Sequence, residues 1–234
     1  MIEDVKKEFK KYASKKRADH SARFFKTGKG EYAEADLFLG VRNPDIYKVV
    51  NKFKKEMSID EAICFLQHEI HEYRLFGLKA LEYKYKEGDK EVKKEIVDIY
   101  LDNIKYINNW DLVDLSAPNI LGDYLLDNDR NILYVLVNKE DLWSKRIAIL
   151  STFAFIKNDE FGDALKISKI LLTHEHDLIH KAVGWMLREI WKRDSEIAEK
   201  FIKDNYDDMD RMTLRYAIEK MDEGVRMLFL KKIF

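Results

Sequence analysis

A helical pattern that recurs about every 35 residues constrains the fold of this chain more than any other feature. Four short blocks follow similar helical lead-ins: Phe76-Gly77-Leu78, Arg146-Ile147-Ala148, Lys181-Ala182-Val183 and Arg215-Tyr216-Ala217. Their starts are 70, 35 and 34 residues apart. A period near 35 with two helices per unit is typical of an α-solenoid, in which each helical pair buries its apolar face against the next.

Local signals agree with a chain made of helices. Asn43-Pro44 predicts a helix start, Ser58 with Glu61 has the form of a capping box, and Gly88 predicts a helix end. Nine glycines and two prolines are too few for a loop-rich β protein, and no convincing alternating strand occurs. We therefore predict an all-α fold, an α-solenoid of HEAT-like helical repeats, in a single domain spanning residues 1–234.

The helix boundaries follow from the same patterns. Helices are predicted to begin near residues 43 and 58 and to cover about residues 2–13, 21–26, 72–86, 90–106, 110–126, 129–138, 142–156, 161–173, 177–192, 195–205 and 208–221. Small residues recur at one place in the repeat, namely Gly77, Ala148, Gly184 and Ala217. They predict that neighbouring helices approach each other closely.

Charge and cysteine content limit the possible compartments and partners. Lys plus Arg is 42 and Asp plus Glu is 43, for a formal net charge of -1, so bulk charge gives no support for nucleic-acid binding. The single cysteine, Cys64, sits in an apolar run and is predicted to be buried. No signal-peptide core and no run of about 18 apolar residues occurs. We expect a cytoplasmic protein with no membrane segment.

The stretch Asn108–Asp123 is the most informative for chemistry. It places Trp110, Asp111 and Asp114 within five residues of an otherwise apolar helix. Pro118 has no N–H to give to the carbonyl of Asp114, so the helix should kink or loosen there. A carboxylate beside a broken helical bond and an indole is a candidate site. The alternative is a capping Asp111, a packed Trp110 and a solvated Asp114.

The repeat also predicts a row of charged side chains. Asp111, Arg146, Lys181 and Arg215 fall at equivalent places in successive units. Stacked repeats present equivalent positions along one face, so we predict a column of cations beside an acidic patch. The alternative is that these are ordinary surface cations whose stems cover apolar surface.

Several blocks resemble the motifs of the AlkD-like DNA alkylation-repair glycosylases, a family of HEAT-like repeat enzymes. The matching blocks are Leu37–Arg42 with Pro44, Trp110–Asp114 with Pro118, Leu121–Asp123, Leu142–Leu150, Lys181–Glu189 and Leu214–Lys220. They occur in the family's order and spacing, over roughly residues 20 to 221. That agreement is far more specific than any single motif.

The resemblance implies a DNA glycosylase that excises cationic N3- or N7-alkylated purines from double-stranded DNA without metal or cofactor. By position, Asp114 is the catalytic carboxylate, and Trp110 and Trp185 line the lesion nucleotide. Arg146 is expected to hold the DNA backbone, and Lys181, Arg188 and Arg215 are further DNA-binding candidates. Phe24 is a further DNA-binding candidate, at a position that resembles a tyrosine site of the family. Phenylalanine keeps the aromatic ring for stacking but lacks the hydroxyl with which a tyrosine would form a hydrogen bond.

The chemistry accounts for these residue types. A cationic alkylpurine is already a good leaving group, and bond cleavage gives the deoxyribose oxocarbenium character. A carboxylate about 4 Å from this positive charge, at an effective dielectric of about 20, interacts with it by roughly 4 kcal/mol. If the interaction occurs only in the transition state, it speeds the reaction by about three orders of magnitude. Indole faces favour cations by about 0.5–2 kcal/mol each.

Two alternatives remain. The near-neutral charge also suits a non-catalytic HEAT-like module that binds branched or damaged DNA, or a protein-binding scaffold. His176 and His180, with His174 nearby, could ligate a metal on one helical face, although solvated histidines explain them as well. We predict no metal and no cofactor, and a monomer associated with the nucleoid through DNA.

Overall fold

The computed structural model describes residues 1–234 and contains fourteen α-helices. The first seven are α1 (Ile2–Lys10), α2 (Lys15–Phe24), α3 (Asn43–Phe53), α4 (Ile59–Leu66), α5 (His71–Glu87), α6 (Lys90–Asp102) and α7 (Trp110–Ser116). The others are α8 (Asn131–Val137), α9 (Leu142–Lys157), α10 (Gly162–Leu171), α11 (Asp177–Trp191), α12 (Ser195–Asp204), α13 (Arg211–Ala217) and α14 (Glu223–Lys231). The extended backbone pairs only in an isolated bridge between Leu37 and Ile70. The predicted all-α class is confirmed.

The chain divides into two compact units, residues 1–116 and 117–234. The single domain expected over residues 1–234 stays a prediction. None of the helices combines the length and the apolar character needed to cross a bilayer.

Local capping fixes where several helices begin. The capping box at α4 is confirmed: Ser58 Oγ accepts the Glu61 N–H at 3.1 Å, and Glu61 Oε2 accepts the Ser58 N–H at 3.1 Å. Pro44 occupies the first turn of α3, as expected. Asp89 and Asp141 cap α6 and α9 by accepting backbone N–H groups three residues further along. These caps satisfy donors that a helix start leaves free.

Helix α5 is the centre of the first unit and packs against α3, α4, α6 and α7. A Cβ added at Gly77 would lie 2.5 Å from the Leu66 nitrogen and 2.6 Å from the Ala62 carbonyl oxygen, so only glycine permits this approach to α4. Phe65 and Phe76 pack edge to face with ring centroids 4.9 Å apart. The predicted close approach at Gly77 is confirmed.

The second unit is built around α9, which packs against α8, α10 and α11, while α11 also packs against α12 and α13. A Cβ at Gly184 on α11 would lie 2.5 Å from the Thr213 carbonyl oxygen on α13. Ala148 and Ala217 are fully buried. The small residues of the repeat therefore stand at tightly packed positions, as predicted.

The chain departs from regular α-helix around Pro118. Helix α7 ends at Ser116, and Pro118–Gly122 forms a π-helical segment in which the Gly122 N–H donates to the Ala117 carbonyl at 2.8 Å. The missing proline N–H favours this wider turn. The predicted loosening is confirmed, whereas a continuous helix over residues 110–126 was wrong.

Two further expectations need correction, and one helix was not predicted. Helix α2 begins at Lys15, earlier than predicted. Cys64 is exposed, because α4 buries Ala62, Phe65 and Leu66 on its other face. Helix α14 was not predicted, since Phe229 is its only buried residue and its sequence lacks a clear apolar stripe.

Candidate functional site

A cavity of about 500 Å³ lies in the first unit and is bordered by α2, α3, α5, α7 and the segment before α3. Its lining is rich in aromatic side chains and holds charged groups of both signs. The aromatic members are His20, Phe24, Phe25, Phe38, His71 and Trp110, the acidic members are Glu72, Asp111 and Asp114, and the arginines are Arg17 and Arg42. The aromatic rings are suited to stacking on a flat ligand.

Stacked rings form one side of the cavity. Phe25 stacks on Trp110, with ring centroids 5.2 Å apart at 25°, and on Phe38, at 5.2 Å and 13°. Phe24 meets Trp110 edge to face at 6.0 Å and is 59% exposed. Its exposed ring borders the cavity, where it is accessible to a ligand. Two consecutive phenylalanines thus contact the Trp110 indole, one by stacking and the other edge to face.

Helix α7 delivers the two residues that the sequence singled out most strongly. Trp110 and Asp114 are four residues apart, so they face the same side of the helix, and both line the cavity. Both are half-buried. The side chain of Asn109 accepts the Trp110 N–H at 2.9 Å and so satisfies the first donor of the helix.

A buried network of charged residues adjoins the aromatic rings, and two of its members, His71 and Asp111, also line the cavity. His71 Nε2 is 2.8 Å from Asp111 Oδ2, and His71 Nδ1 is 3.5 Å from Asp36 Oδ2. Arg74 Nη2 lies 2.7 Å from the same Asp36 oxygen. Asn109 Nδ2 also donates to Asp36, at 3.3 Å. Two carboxylates, one imidazole and one guanidinium therefore share a site that is almost closed to water.

The network favours the charged forms of His71 and Asp36. Burial disfavours a charged His71, but the Asp111 and Asp36 carboxylates outweigh that effect and raise its pKa to about 9. Burial likewise opposes the charge of Asp36, yet His71 and Arg74 lower the pKa of this carboxyl below its usual value. Two cations and two anions thus balance at neutral pH.

This network settles the position of Asp111. Helix α7 starts at Trp110, so Asp111 is its second residue rather than its N-cap. Its side chain is buried and bonded to His71. The capping role that the sequence offered for Asp111 does not match this geometry, because the contact with His71 instead ties the start of α7 to α5.

A second carboxylate holds the segment that enters α3. Glu72 accepts three backbone N–H groups, from Leu39 at 3.0 Å, Gly40 at 2.7 Å and Val41 at 3.1 Å. Gly40 has a φ of +72°, and a Cβ there would lie 2.3 Å from the Ser14 carbonyl oxygen. The tight course of this segment depends on both residues.

Sequence reasoning missed Asp36, His71, Glu72 and Gly40. His71 and Glu72 are adjacent at the start of α5 and belong to no recognisable motif. Their partners Asp36 and Asp111 are remote in sequence, and only folding brings them together. One available signal was that polar residues begin a helix that is otherwise almost wholly buried.

The remaining candidates lie in the second unit. Trp185 on α11 is half-buried, packs beside Phe153 at 5.8 Å and donates its indole N–H to Glu189 at 3.1 Å. Arg188 pairs with Glu219. Arg146 is buried and donates to the Leu178 carbonyl, just inside α11.

The repeat register predicted that four charged residues lie along one face, and the structure shows that two of them are buried. Asp111 and Arg146 are 5% and 4% exposed. Lys181 is half-buried and Arg215 is exposed. Equal position in a repeat fixes the side of the helix, but the neighbouring elements decide whether the side chain reaches water. The DNA-contact roles of Arg146, Lys181 and Arg215 stay predictions.

The histidines near α11 are engaged in local contacts. His174 Nδ1 accepts the His176 N–H at 3.0 Å, and His180 Nδ1 lies 3.4 Å from Asp210 Oδ1. Burial and the nearby Lys145 lower the pKa of His174. No group of three or more histidine, cysteine, aspartate or glutamate side chains is arranged to hold a metal ion.

The architecture and the cavity define an all-α protein of helical-repeat type with an aromatic-lined site. A family model described as DNA alkylation repair enzyme matches residues 5–221, and the chain belongs to that family. A solved structure described as a predicted DNA alkylation repair enzyme from Enterococcus faecalis is similar in fold, with a TM-score of 0.73 and 17% identity. The similarity covers 90% of this chain and 97% of that one. Comparison with curated proteins gives no match.

Proposed function

We propose that this protein is a DNA glycosylase that hydrolyses the N-glycosidic bond of cationic N3- and N7-alkylated purines in double-stranded DNA. It acts as a monomer in base excision repair, in the cytoplasm, without metal or cofactor. The observation that carries the proposal is that the Asp114 carboxylate and the Trp110 indole line one cavity, next to the exposed ring of Phe24.

Asp114 has the chemistry that this reaction needs. As the bond to the base lengthens, positive charge grows on the deoxyribose, and a nearby carboxylate stabilises it. The same carboxylate can orient a water molecule for attack at that carbon. No strong acid is needed for the leaving group, because the alkylated base is already cationic. Asp114 is therefore assigned as the catalytic residue.

The aromatic residues supply selectivity for charge. A cationic purine is attracted to an indole face, whereas a normal base gains only stacking. Phe25 packs against Trp110 at 5.2 Å and so fixes the plane of that indole before the lesion arrives. Phe24 adds an exposed face to the same surface, and Trp185 is assigned as the second lesion-lining indole.

Basic residues of the second unit complete the proposal as contacts to the DNA backbone, which set register without selecting sequence. Arg215 and Lys181 reach the surface, and Arg188 is partly engaged by Glu219. Arg146 is buried, so a phosphate would have to come close to its guanidinium for the proposed contact to form.

A non-catalytic DNA-binding module is the second candidate. The net charge of -1 and the burial of Arg146 favour it, because both weaken the case for an enzyme that grips DNA strongly. The cavity would then be a binding pocket for a damaged or displaced nucleotide. The two candidates differ in one respect only, namely whether a base is released.

The test is release of N7-methylguanine and N3-methyladenine from methylated duplex DNA with EDTA present. Wild type is compared with Asp114→Asn and with Asp102→Asn, an exposed aspartate of the same unit. We expect release by wild type and by Asp102→Asn, and a loss of about 100-fold or more in Asp114→Asn with DNA binding retained.

Other outcomes distinguish the alternatives. Near wild-type release by Asp114→Asn would remove Asp114 from the catalytic role. No release by any of the proteins, with salt-sensitive DNA binding intact, would establish the non-catalytic module.

A further inference from the structure

Asp114 lies in the last turn of α7, which ends at Ser116. Beyond that end, Pro118 has no N–H to donate to the Asp114 carbonyl, and the chain continues as the π-helical turn Pro118–Gly122. The carboxylate to which we assign the catalysis therefore stands where the regular hydrogen-bond pattern of its helix stops. Its position depends on contacts that other elements make with this end of α7.

Lys79 on α5 provides such a contact. Its Nζ donates to the Leu115 carbonyl at 2.8 Å. Leu115 follows Asp114 in the chain, and both residues line the cavity. A cation that donates to one of the last carbonyls of a helix also suits the negative end of the helix dipole. The central helix of the first unit is thus joined to the backbone beside the candidate catalytic carboxylate.

The ammonium group of Lys79 is held in one place. Its side chain is only 10% exposed, and Nζ lies 2.6 Å from Glu82 Oε2 and 5.8 Å from the centroid of the Tyr47 ring. A buried ammonium is stable only when its charge and its donors are engaged. The carboxylate, the ring and the carbonyl together fix the direction of this side chain, so a rigid donor holds Leu115.

Neutralising Glu82 does not by itself account for a buried lysine at this place in α5. Glu82 Oε1 lies 2.6 Å from Lys86 Nζ, and the Lys86 side chain is 58% exposed. Glu82 therefore has a cation that keeps most of its contact with water and avoids the desolvation that Lys79 undergoes. What Lys79 adds is the hydrogen bond to the Leu115 carbonyl.

We propose that Lys79 is a positioning residue: by holding the Leu115 carbonyl, it fixes the place of the Asp114 carboxylate next to the deoxyribose of the lesion. The inference rests on the proposed function, in which Asp114 is the catalytic residue. Lys79 is not among the side chains that line the cavity, so it acts on bond cleavage rather than on DNA binding. A displacement of about 1 Å at a reacting group can lower a rate by about 100-fold.

The experiment measures the single-turnover rate of N7-methylguanine release by the full chain at saturating protein, together with the affinity for the same DNA by fluorescence anisotropy. Wild type is compared with Lys79→Met, which keeps a long side chain without a donor, and with Lys79→Arg, which keeps charge and donors. The matched control is Lys86→Met, because it removes the other cation beside Glu82 and leaves the contact to Leu115 in place.

We expect Lys79→Met to lower the rate at saturation by about 10-fold or more, while the DNA affinity stays at the wild-type value. Lys79→Arg should restore most of the rate, and Lys86→Met should match wild type. A wild-type rate in Lys79→Met would overturn the inference, as would an equal loss in Lys86→Met.

Circular dichroism checks that each variant is folded. If methionine prevents folding, Lys79→Gln replaces it, since its amide keeps a polar group at the site but falls one bond short of the Leu115 carbonyl. The same loss of rate is expected for Lys79→Gln, and a wild-type rate would again overturn the inference.

A combined variant shows whether Lys79 acts through Asp114. Lys79→Met should slow Asp114→Asn no further, because the carboxylate that Lys79 positions is already gone. Losses that multiply in the combined variant would mean that Lys79 contributes by another route, and they would overturn the inference.

A failure of this inference is distinguishable from a failure of the proposed function. No base release by wild type would reject the glycosylase and, with it, the positioning role of Lys79. Release by wild type with an unchanged rate in Lys79→Met would reject the role of Lys79 alone.

Discussion

His71 Nε2 lies 2.8 Å from Asp111 Oδ2, and both side chains are buried next to the aromatic rings of the cavity. His71 also stacks on Phe38, with ring centroids 4.8 Å apart. One imidazole therefore touches both elements that support Trp110: it bonds to α7 through Asp111, and it packs on the ring stack through Phe38. The geometry of the candidate site depends on a protonated histidine in its own lining.

This pair should make stability depend on pH. The folded-state pKa of His71 is about 9, above the unfolded value of about 6.5. Its contribution is therefore fully present below about pH 6.5 and is lost as pH rises through about 9. We expect the unfolding free energy from urea titrations to fall by up to about 3 kcal/mol across this window.

Two variants check the origin of that slope. His71→Gln should be less stable, and its unfolding free energy should not fall with pH in this window. His20→Gln, at an exposed histidine, should keep the wild-type pH dependence. If wild-type stability is constant from about pH 6.5 to 9, His71 is not held in its charged form.

Glu72→Gln should destabilise the first unit by about 2–3 kcal/mol in urea denaturation, because a neutral amide replaces a carboxylate that accepts three backbone N–H groups. The amide also turns a donor toward one of those groups. Glu69→Gln, at an exposed glutamate three residues before Glu72, should change stability by less than about 0.5 kcal/mol. Equal effects in the two variants would contradict the role given to Glu72.

Gly40→Ala should cost about 2–4 kcal/mol of unfolding free energy. A Cβ at that site meets the Ser14 carbonyl oxygen at 2.3 Å and the Ala18 nitrogen at 2.4 Å, both backbone atoms. Gly30 is the matched control, since its φ of +78° is similar but nothing lies within 4 Å of its added Cβ. Gly30→Ala should therefore cost only about 1 kcal/mol, and a similar cost at both positions would show that the close contact is unimportant.

Phe24→Ala should weaken binding to alkylated DNA by about 5- to 10-fold, since one aromatic face is lost. The fold should be little affected, because Phe24 is 59% exposed. Phe24→Tyr keeps the ring and should bind at least as well as wild type. Equal binding by the alanine and wild-type proteins, measured by anisotropy, would remove Phe24 from the site.

The helical architecture was predictable because it rests on local chemistry. Capping at Ser58, proline at the first turn of α3 and small residues such as Gly77 are properties of short segments, and each acts as its pattern predicts. The π-helical turn was anticipated in part, because a proline removes one donor whatever its surroundings. Helix α14 was missed because a helix that buries one residue carries almost no periodic signal.

The candidate site was predictable only in part, because some of its contacts join residues that are far apart in the sequence. Trp110 and Asp114 are four residues apart, so a helix alone brings them together. Asp36 and His71 meet across a long sequence separation, and no local pattern encodes that contact. Arg146 shows the same limit, since its place in the repeat gave the side of the helix but not its burial.

The dependence of residues 39–41 on Glu72 has a consequence for motion. Three consecutive amides share one acceptor group, so none can open to solvent alone without disturbing the others. In hydrogen exchange these amides should therefore be released in a single cooperative event with one common protection factor. Gly40 and Val41 also line the cavity, so such an event would remove that border of the site all at once.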